Sequence, residues 1–168
     1  LKLGKLKDAS TYLKKAESLL PNNAMVNNNM GVLYLMQKDY AEAEKHLTKA
    51  NKMGIDNNYN LGVIEIEKGN YDIALTKFAG VKCDYNVALA QVLIGDPSSA
   101  ASNLECARKN GATYYLLAIV GAQTENEPLM YANLKKAIKA KPSYKAEAKI
   151  DREFVKFFDN DEFKAIVN

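Results

Sequence analysis

Two neighbouring stretches of this 168-residue chain are near copies of each other. Asn28–Ala50 reads NNMGVLYLMQKDYAEAEKHLTKA, and Asn58–Gly80 reads NYNLGVIEIEKGNYDIALTKFAG. Aligned on Gly31 and Gly62, each has an apolar residue just before the glycine (Met30, Leu61). Each then has an aromatic nine residues on (Tyr40, Tyr71), an alanine at twelve (Ala43, Ala74) and a bulky apolar residue at sixteen (Leu47, Phe78). Spacings of three and four within each half are helical. Small residues on one helix, set against bulky ones on the next, let two antiparallel helices approach closely. Each copy therefore predicts a helix, a turn and a second helix. Neither copy can cover its own apolar face, so the copies must stack.

The same register continues on both sides. The stretch GKLKDASTYLKKAESLLP places Gly4 at a turn, followed by Ala9, Leu13, Ala16 and Pro21. GDPSSAASNLECARKNG gives Gly95, Ala100, Leu104 and Ala107, and ENEPLMYANLKKAIKAKP gives Leu134, Ala137 and Pro142. The second helix of the pair thus occurs five times. The first occurs four times, near 24–37, 58–68, 84–94 and 112–124. A period of about 30 residues with two helices in each predicts an all-α solenoid. Punctuation agrees: Gly54, Gly80 and Gly111 suit left-handed helix ends, Asn58 and Asp84 suit N-caps, and Asp96-Pro97 suits a capped start. Met130 departs from the pattern, standing where alanine is expected.

After Pro142 the small-residue series stops and aromatic residues take over: Phe154, Phe157, Phe158 and Phe163. An end repeat cannot leave its apolar face open, so this tail is expected to form two or three short helices that cover it.

YNLG at 59–62 followed by KGNYDIALTKF, the Gly31/Ala43/Leu47/Ala50 series, and the closing Pro21 and Pro142 are together similar to the tetratricopeptide repeat. The resemblance covers nearly the whole chain up to Pro142. It implies a right-handed superhelix of stacked antiparallel helix pairs, with repeats over 1–142 (the first truncated) and capping helices over 143–168, as one structural domain. Two spacings are short, 31 residues from Gly31 to Gly62 and 26 from Gly62 to Ala88, against about 34 in the family. The chain opens at LKLGKLKDAS, which reads as the middle of a longer protein.

Chemistry-bearing motifs are scarce. The net charge is +3 with lysines spread throughout, which argues for a solvated surface rather than a nucleic-acid patch. No apolar run is long enough to span a bilayer. His46, the one histidine, lies in a lysine- and glutamate-rich helix and is expected at the surface. Phosphate loops, nucleophile elbows and histidine–glutamate metal boxes do not appear. The acidic residues Asp151, Glu153, Asp159, Asp161 and Glu162 lack calcium-loop spacing. The expectation is therefore no enzyme, no cofactor and no metal. Cys83 and Cys106 stand at ends of two helices that meet in an antiparallel pair, which permits a disulfide in an oxidising compartment. Two unpaired thiols are the expectation, because Cys106 falls at a site usually turned to solvent.

What remains is a surface for a protein or peptide. Offsets of minus three, plus one and plus four from the small residue of each first helix lie on one helical face, and minus two is the residue beside the first of these. They give Asn28, Tyr59, Tyr85 and Tyr115; Asn29, Asn60, Asn86 and Leu116; Val32, Val63, Leu89 and Ile119; and Leu35, Ile66, Val92 and Ala122. In the tetratricopeptide family this face is concave and binds partners. The family's best-known basic clamp for a C-terminal carboxylate is largely missing here, with only Lys82 near a suitable place. The alternative is a structural spacer that positions an upstream envelope-anchored or glycan-binding domain. Resemblance to repeat segments of bacterial cell-envelope proteins points to the periplasm or envelope, with the cytoplasm as the alternative.

Overall fold

The computed structural model describes residues 3–168, with side-chain surroundings from Leu6 onward. Among these residues every regular element is helical. The α-helices are α1 (Leu3–Leu19), α2 (Ala24–Met36), α3 (Tyr40–Lys52), α4 (Asn58–Glu67), α5 (Tyr71–Lys77), α6 (Tyr85–Leu93), α7 (Pro97–Cys106), α8 (Gly111–Gln123), α9 (Glu127–Ala140), α10 (Tyr144–Ala148) and α11 (Asp161–Val167). A 3-10 helix, Arg152–Phe157, lies between α10 and α11. The chain divides into two compact units, Leu1–Ala79 and Gly80–Asn168. Within them α2 pairs with α3, α4 with α5, α6 with α7 and α8 with α9, as sequential antiparallel pairs.

All four pairs use one turn. Seven residues after the small residue comes a backbone in the left-handed region: Lys38, Gly69, Gly95 and Glu125. The next residue is Asp39, Asn70, Asp96 or Asn126, and its N–H donates back to the carbonyl of Tyr34, Glu65, Gln91 or Gly121. This five-residue return closes the first helix by satisfying one of its orphan carbonyls. Three of the four side chains then cap the second helix: Asp39 accepts from the Glu42 N–H, Asp96 from Ser99 and Asn126 from Leu129. Asn70 instead donates to Glu65 at 2.7 Å. A short polar residue that caps, following one that tolerates the left-handed backbone, thus makes the turn.

Close approach is built the same way in each pair. In the first unit a Cβ on Gly31 would lie 2.5 Å from the Leu47 side chain, and one on Gly62 would lie 2.6 Å from the Phe78 ring. Leu47 and Phe78 are buried, as are Ala43, Leu61 and Ile64 beside them. In the second unit the sixteen-residue partnership is Ala88 with Leu104 and Ala118 with Leu134, all buried. Met130, at the alanine site, fits because Gly121 faces it: a Cβ there would lie 2.5 Å from the Met130 backbone nitrogen.

The tail packs onto the last pair. Phe154, Phe157 and Phe163 are buried in one cluster with Ala118, Ala122, Met130 and Leu134, each such burial being worth about 1.5–3 kcal/mol. Asp151 and Asn160 cap the 3-10 helix and α11 through the backbone N–H groups of Glu153 and of Glu162 and Phe163.

Several sequence expectations change. Gly54 and Gly80 do adopt the left-handed conformation. Gly111 does not; it opens α8 and lies against Tyr144 and Ala140, where a side chain would be tight. Gly4, expected at a turn, lies inside α1. The N-cap of α4 is Asn57, and the N–H of Asn58 is satisfied by Asp56 Oδ1. Cys83 and Cys106 are not free thiols but form a disulfide, with Cα atoms 4.9 Å apart. Cys106 does face solvent, but so does Cys83, whose left-handed backbone (φ 57°) turns the chain into α6 beside the end of α7. The Cys83 N–H is held by Asn103 Oδ1. No helix among the described residues is long and apolar enough to cross a membrane.

Candidate interaction surface

On α2 and α4 the first-helix face alternates with the core. Met30, Gly31 and Leu33 are buried, while Asn28 and Val32 are half-buried and Asn29 is exposed. Leu61, Gly62 and Ile64 are buried, while Asn60 and Val63 are half-buried and Tyr59 is 37% exposed. Val32 packs beside Leu61 and Ile64 in one cluster, which brings the α2 and α4 faces together within the first unit. Asn28 Nδ2 donates to Asn29 Oδ1 at 3.2 Å, and Asn60 Nδ2 donates to Asn57 Oδ1 at 3.4 Å. The Tyr59 ring is tilted against Phe78 with centroids 5.3 Å apart, so the bulky residue that fills the Gly62 joint also steadies the exposed tyrosine.

In the second unit the corresponding face is more engaged. Tyr85, Asn86 and Leu89 are half-buried, and Tyr85, Leu89 and Ile119 pack against the α6–α8 core. The Asn86 N–H is taken by the capping carboxylate of Asp84. Leu116, Val92 and Ala122, expected in the rows of the face, are core residues instead. Tyr115 belongs to the tail: it stacks on Tyr144 with centroids 4.6 Å apart, meets the edge of Phe154, and donates its hydroxyl to Asp151 Oδ2 at 2.9 Å. Burial, followed by that hydrogen bond, pushes its pKa up. Burial and the neighbouring Tyr144 also raise Tyr85. Both phenols are therefore neutral hydrogen-bonding groups at ordinary pH. Lys82 is exposed.

Sequence reasoning missed a polar cluster. His46 is not a surface histidine: it is 6% exposed, stacked on Tyr34, with Nδ1 3.2 Å from Asn27 Oδ1. Its Nε2 lies 3.5 Å from Glu17 of α1 and 3.7 Å from Glu42 of α3. Asn27 in turn donates to the carbonyls of Pro21 and Asn23, tying the α1–α2 turn to this cluster. A signal existed in the register. Position plus fifteen holds His46, Lys77, Asn103 and Asn133, a polar residue directly before the bulky joint residue each time. Asn103 uses it to donate to Gln91 across its pair at 3.0 Å. Glu65, at plus three, is also buried; burial opposes its charge, but hydrogen bonds from Asn70 and Lys68 outweigh it and hold the carboxyl below its usual pKa. Among the described residues no group of three or more histidine, cysteine or acidic side chains is placed to hold a metal ion.

A scan against protein-family models gives no match, and a search of curated proteins finds no relative.

Proposed function

We propose that this chain is a protein–protein interaction scaffold whose first helices bind an extended peptide or partner segment. On this reading the helix pairs are successive repeats of a right-handed tetratricopeptide-like solenoid, and residues 143–168 cap it. The observation that carries the reading is the alternation on α2 and α4, where Asn28, Asn29, Val32, Tyr59, Asn60 and Val63 keep solvent-reachable surface beside a closed core. Tyrosine supplies rigid contact area with a polar tip, and asparagine offers a donor and an acceptor to a partner's backbone. Such uncharged rows suit a largely neutral strand or amphipathic helix. The corresponding residues of the second unit are Tyr85, Asn86, Leu89, Tyr115 and Ile119. The engagement of Tyr115 by Tyr144 and Asp151 favours the alternative for that unit, a rigid spacer for an upstream domain. An exposed disulfide supports an oxidising compartment, the periplasm or cell envelope.

The test is selection from a displayed peptide library, followed by binding measurements on Tyr59→Ala and Tyr85→Ala. The scaffold reading expects a recurring sequence pattern and about tenfold weaker binding in Tyr59→Ala with an unchanged helical spectrum. A library that yields no binder, or binders indifferent to both substitutions, would leave the spacer reading in possession.

A further inference from the structure

His46 on α3 is buried, and its two ring nitrogens face different chemistry. Asn27 fixes the first. Its Nδ2 donates to the carbonyls of Pro21 and Asn23 at 2.9 and 2.8 Å, which only the amide nitrogen can do, so Asn27 Oδ1 is the atom turned to the imidazole. That oxygen accepts and cannot donate, so His46 Nδ1, 3.2 Å away, carries a proton and donates it. In the neutral ring Nε2 is then a bare lone pair. It lies 3.5 Å from Glu17 Oε1 of α1 and 3.7 Å from Glu42 Oε2 of α3, and an ionised carboxylate offers no donor. The neighbouring charges do not remove this conflict. Lys45 is 2.9 Å from Glu42, and its hydrogen bond holds that carboxyl below its usual pKa. Lys49 donates to the Pro21 carbonyl. Tyr34, stacked on the ring, has its pKa raised by burial first, then by Glu42, Glu17 and Asp39, and stays a neutral phenol.

We propose that His46 is a proton-operated latch, which holds α1 against the α2–α3 pair at acid pH and lets it loosen as the imidazole loses its proton. With both nitrogens protonated, Nδ1–H serves Asn27 and Nε2–H is drawn to Glu17, so one ring ties α1, α2 and α3 together through charge-assisted contacts. In the neutral ring the same Nε2 turns a lone pair on two carboxylates, and Glu17 is stabilised by moving away. The element that moves is α1. From Leu6 onward none of its side chains is buried, whereas Met30 and Leu33 of α2 and Leu47 of α3 sit in a closed core. Glu17 has no other ion-pair partner among the described residues, while Glu42 keeps Lys45. The stabilisation belongs to the charged imidazole, so it is complete on the acid side of the ring's titration and is lost as pH rises through it. Between about pH 5 and 8 an ordinary side chain other than histidine does not change charge, which leaves the ring as the sensor. The latch lies in the first unit, uses no residue of the proposed interaction face, and stands or falls independently of that reading.

The experiment follows the full chain by NMR from about pH 5.5 to 8.5. It reads the His46 ring nitrogens and amide hydrogen exchange along α1, corrected for the intrinsic pH dependence of exchange. Both ring nitrogens should carry protons at the acid end, and Nδ1 alone at the alkaline end. Protection of amides 13–19 should fall about fivefold or more with the same midpoint as the ring, while that of α3 stays within about twofold. Glu17→Gln, at a half-exposed position where folding is not at risk, gives an uncharged amide that can donate to the neutral ring. Protection of α1 should then vary by less than about twofold over the range. Glu42→Gln leaves the contact with α1 in place and should keep the dependence. An imidazole that does not titrate in this range, α1 protection that ignores the titration, a dependence that survives Glu17→Gln unchanged, or a neutral ring protonated at Nε2 instead of Nδ1 would each overturn the proposal.

Discussion

The two units fill the same joint with different volumes. In the first, the first helix offers glycine, and Leu47 and Phe78 press directly onto its backbone. In the second, Ala88 and Ala118 take the same positions opposite Leu104 and Leu134. At the last joint the second helix carries extra volume at one more position, with Met130 in place of alanine and Gly121 of the first helix yielding to it. The register survives each exchange because only the sum of facing side chains must stay near close packing. The units also differ in what holds their edges. The first uses a buried polar cluster around His46, whereas the second uses a disulfide and an aromatic tail. The tail has a cost for the surface: it takes Tyr115, the counterpart of a position that stays reachable in the first unit.

The largest test of this contrast is the tail itself. Phe163 is fully buried against Phe154 and Phe158, so Phe163→Ala should cost about 3–5 kcal/mol in urea unfolding. A cost under about 1 kcal/mol would mean that the aromatic cluster does not hold the tail. Reducing the disulfide comes next. Its cysteines are 23 residues apart, and opening a loop of that length should cost about 3 kcal/mol on the chain-entropy account. Melting temperatures with and without reductant measure it, with Cys83→Ser as the control that should respond to neither.

The joints differ in what an added methyl would meet. At Gly121 it is the Met130 backbone, which cannot swing aside, whereas at Gly62 it is the edge of the Phe78 ring. Gly121→Ala should therefore lose about 2–3 kcal/mol and Gly62→Ala less, even after the helix-propensity gain of about 1 kcal/mol that both share. Equal losses would show that both joints relax alike. The smallest effect concerns pH. Tyr115 holds its proton above the usual 10.0 in the folded state. Its contribution is complete below about pH 10 and is lost as pH rises through the folded value. Tyr115→Phe should cost about 1 kcal/mol near neutrality through the lost bond to Asp151, and should flatten the alkaline decline of stability.

Much of the fold was legible because the joint is written in residue size. Gly31 and Leu47, sixteen apart, announce both helices and their contact, and the same offset places Ala88 with Leu104. The four first helices and five second helices follow from it. Less legible was anything decided by a neighbour's conformation. Met130 reads as a defect until Gly121 is seen opposite. Cys83 and Cys106 read as two unpaired thiols because neither the left-handed turn at Cys83 nor the shortness of α6 and α7 shows in residue types. His46 lay among lysines and glutamates, which mark a solvated helix, yet the α1–α2 turn folds over it. For the proposed interaction face, the offsets picked residues that keep some exposure in both units together with Val92, Leu116 and Ala122, which are core, and could not foretell that the tail takes Tyr115.

The central claim is that the first-helix faces, rather than the second helices, carry the interaction. Charge placed on each side separates the two most directly. Asn29→Glu with Asn60→Glu alters the proposed face of the first unit, while Ala41→Glu with Thr76→Glu places the same charge on exposed positions of α3 and α5. Binding of a library-selected peptide, measured by calorimetry on folded variants, should weaken about tenfold or more for the first pair and stay within about twofold for the second. The reverse order, or equal losses in both, would contradict the account.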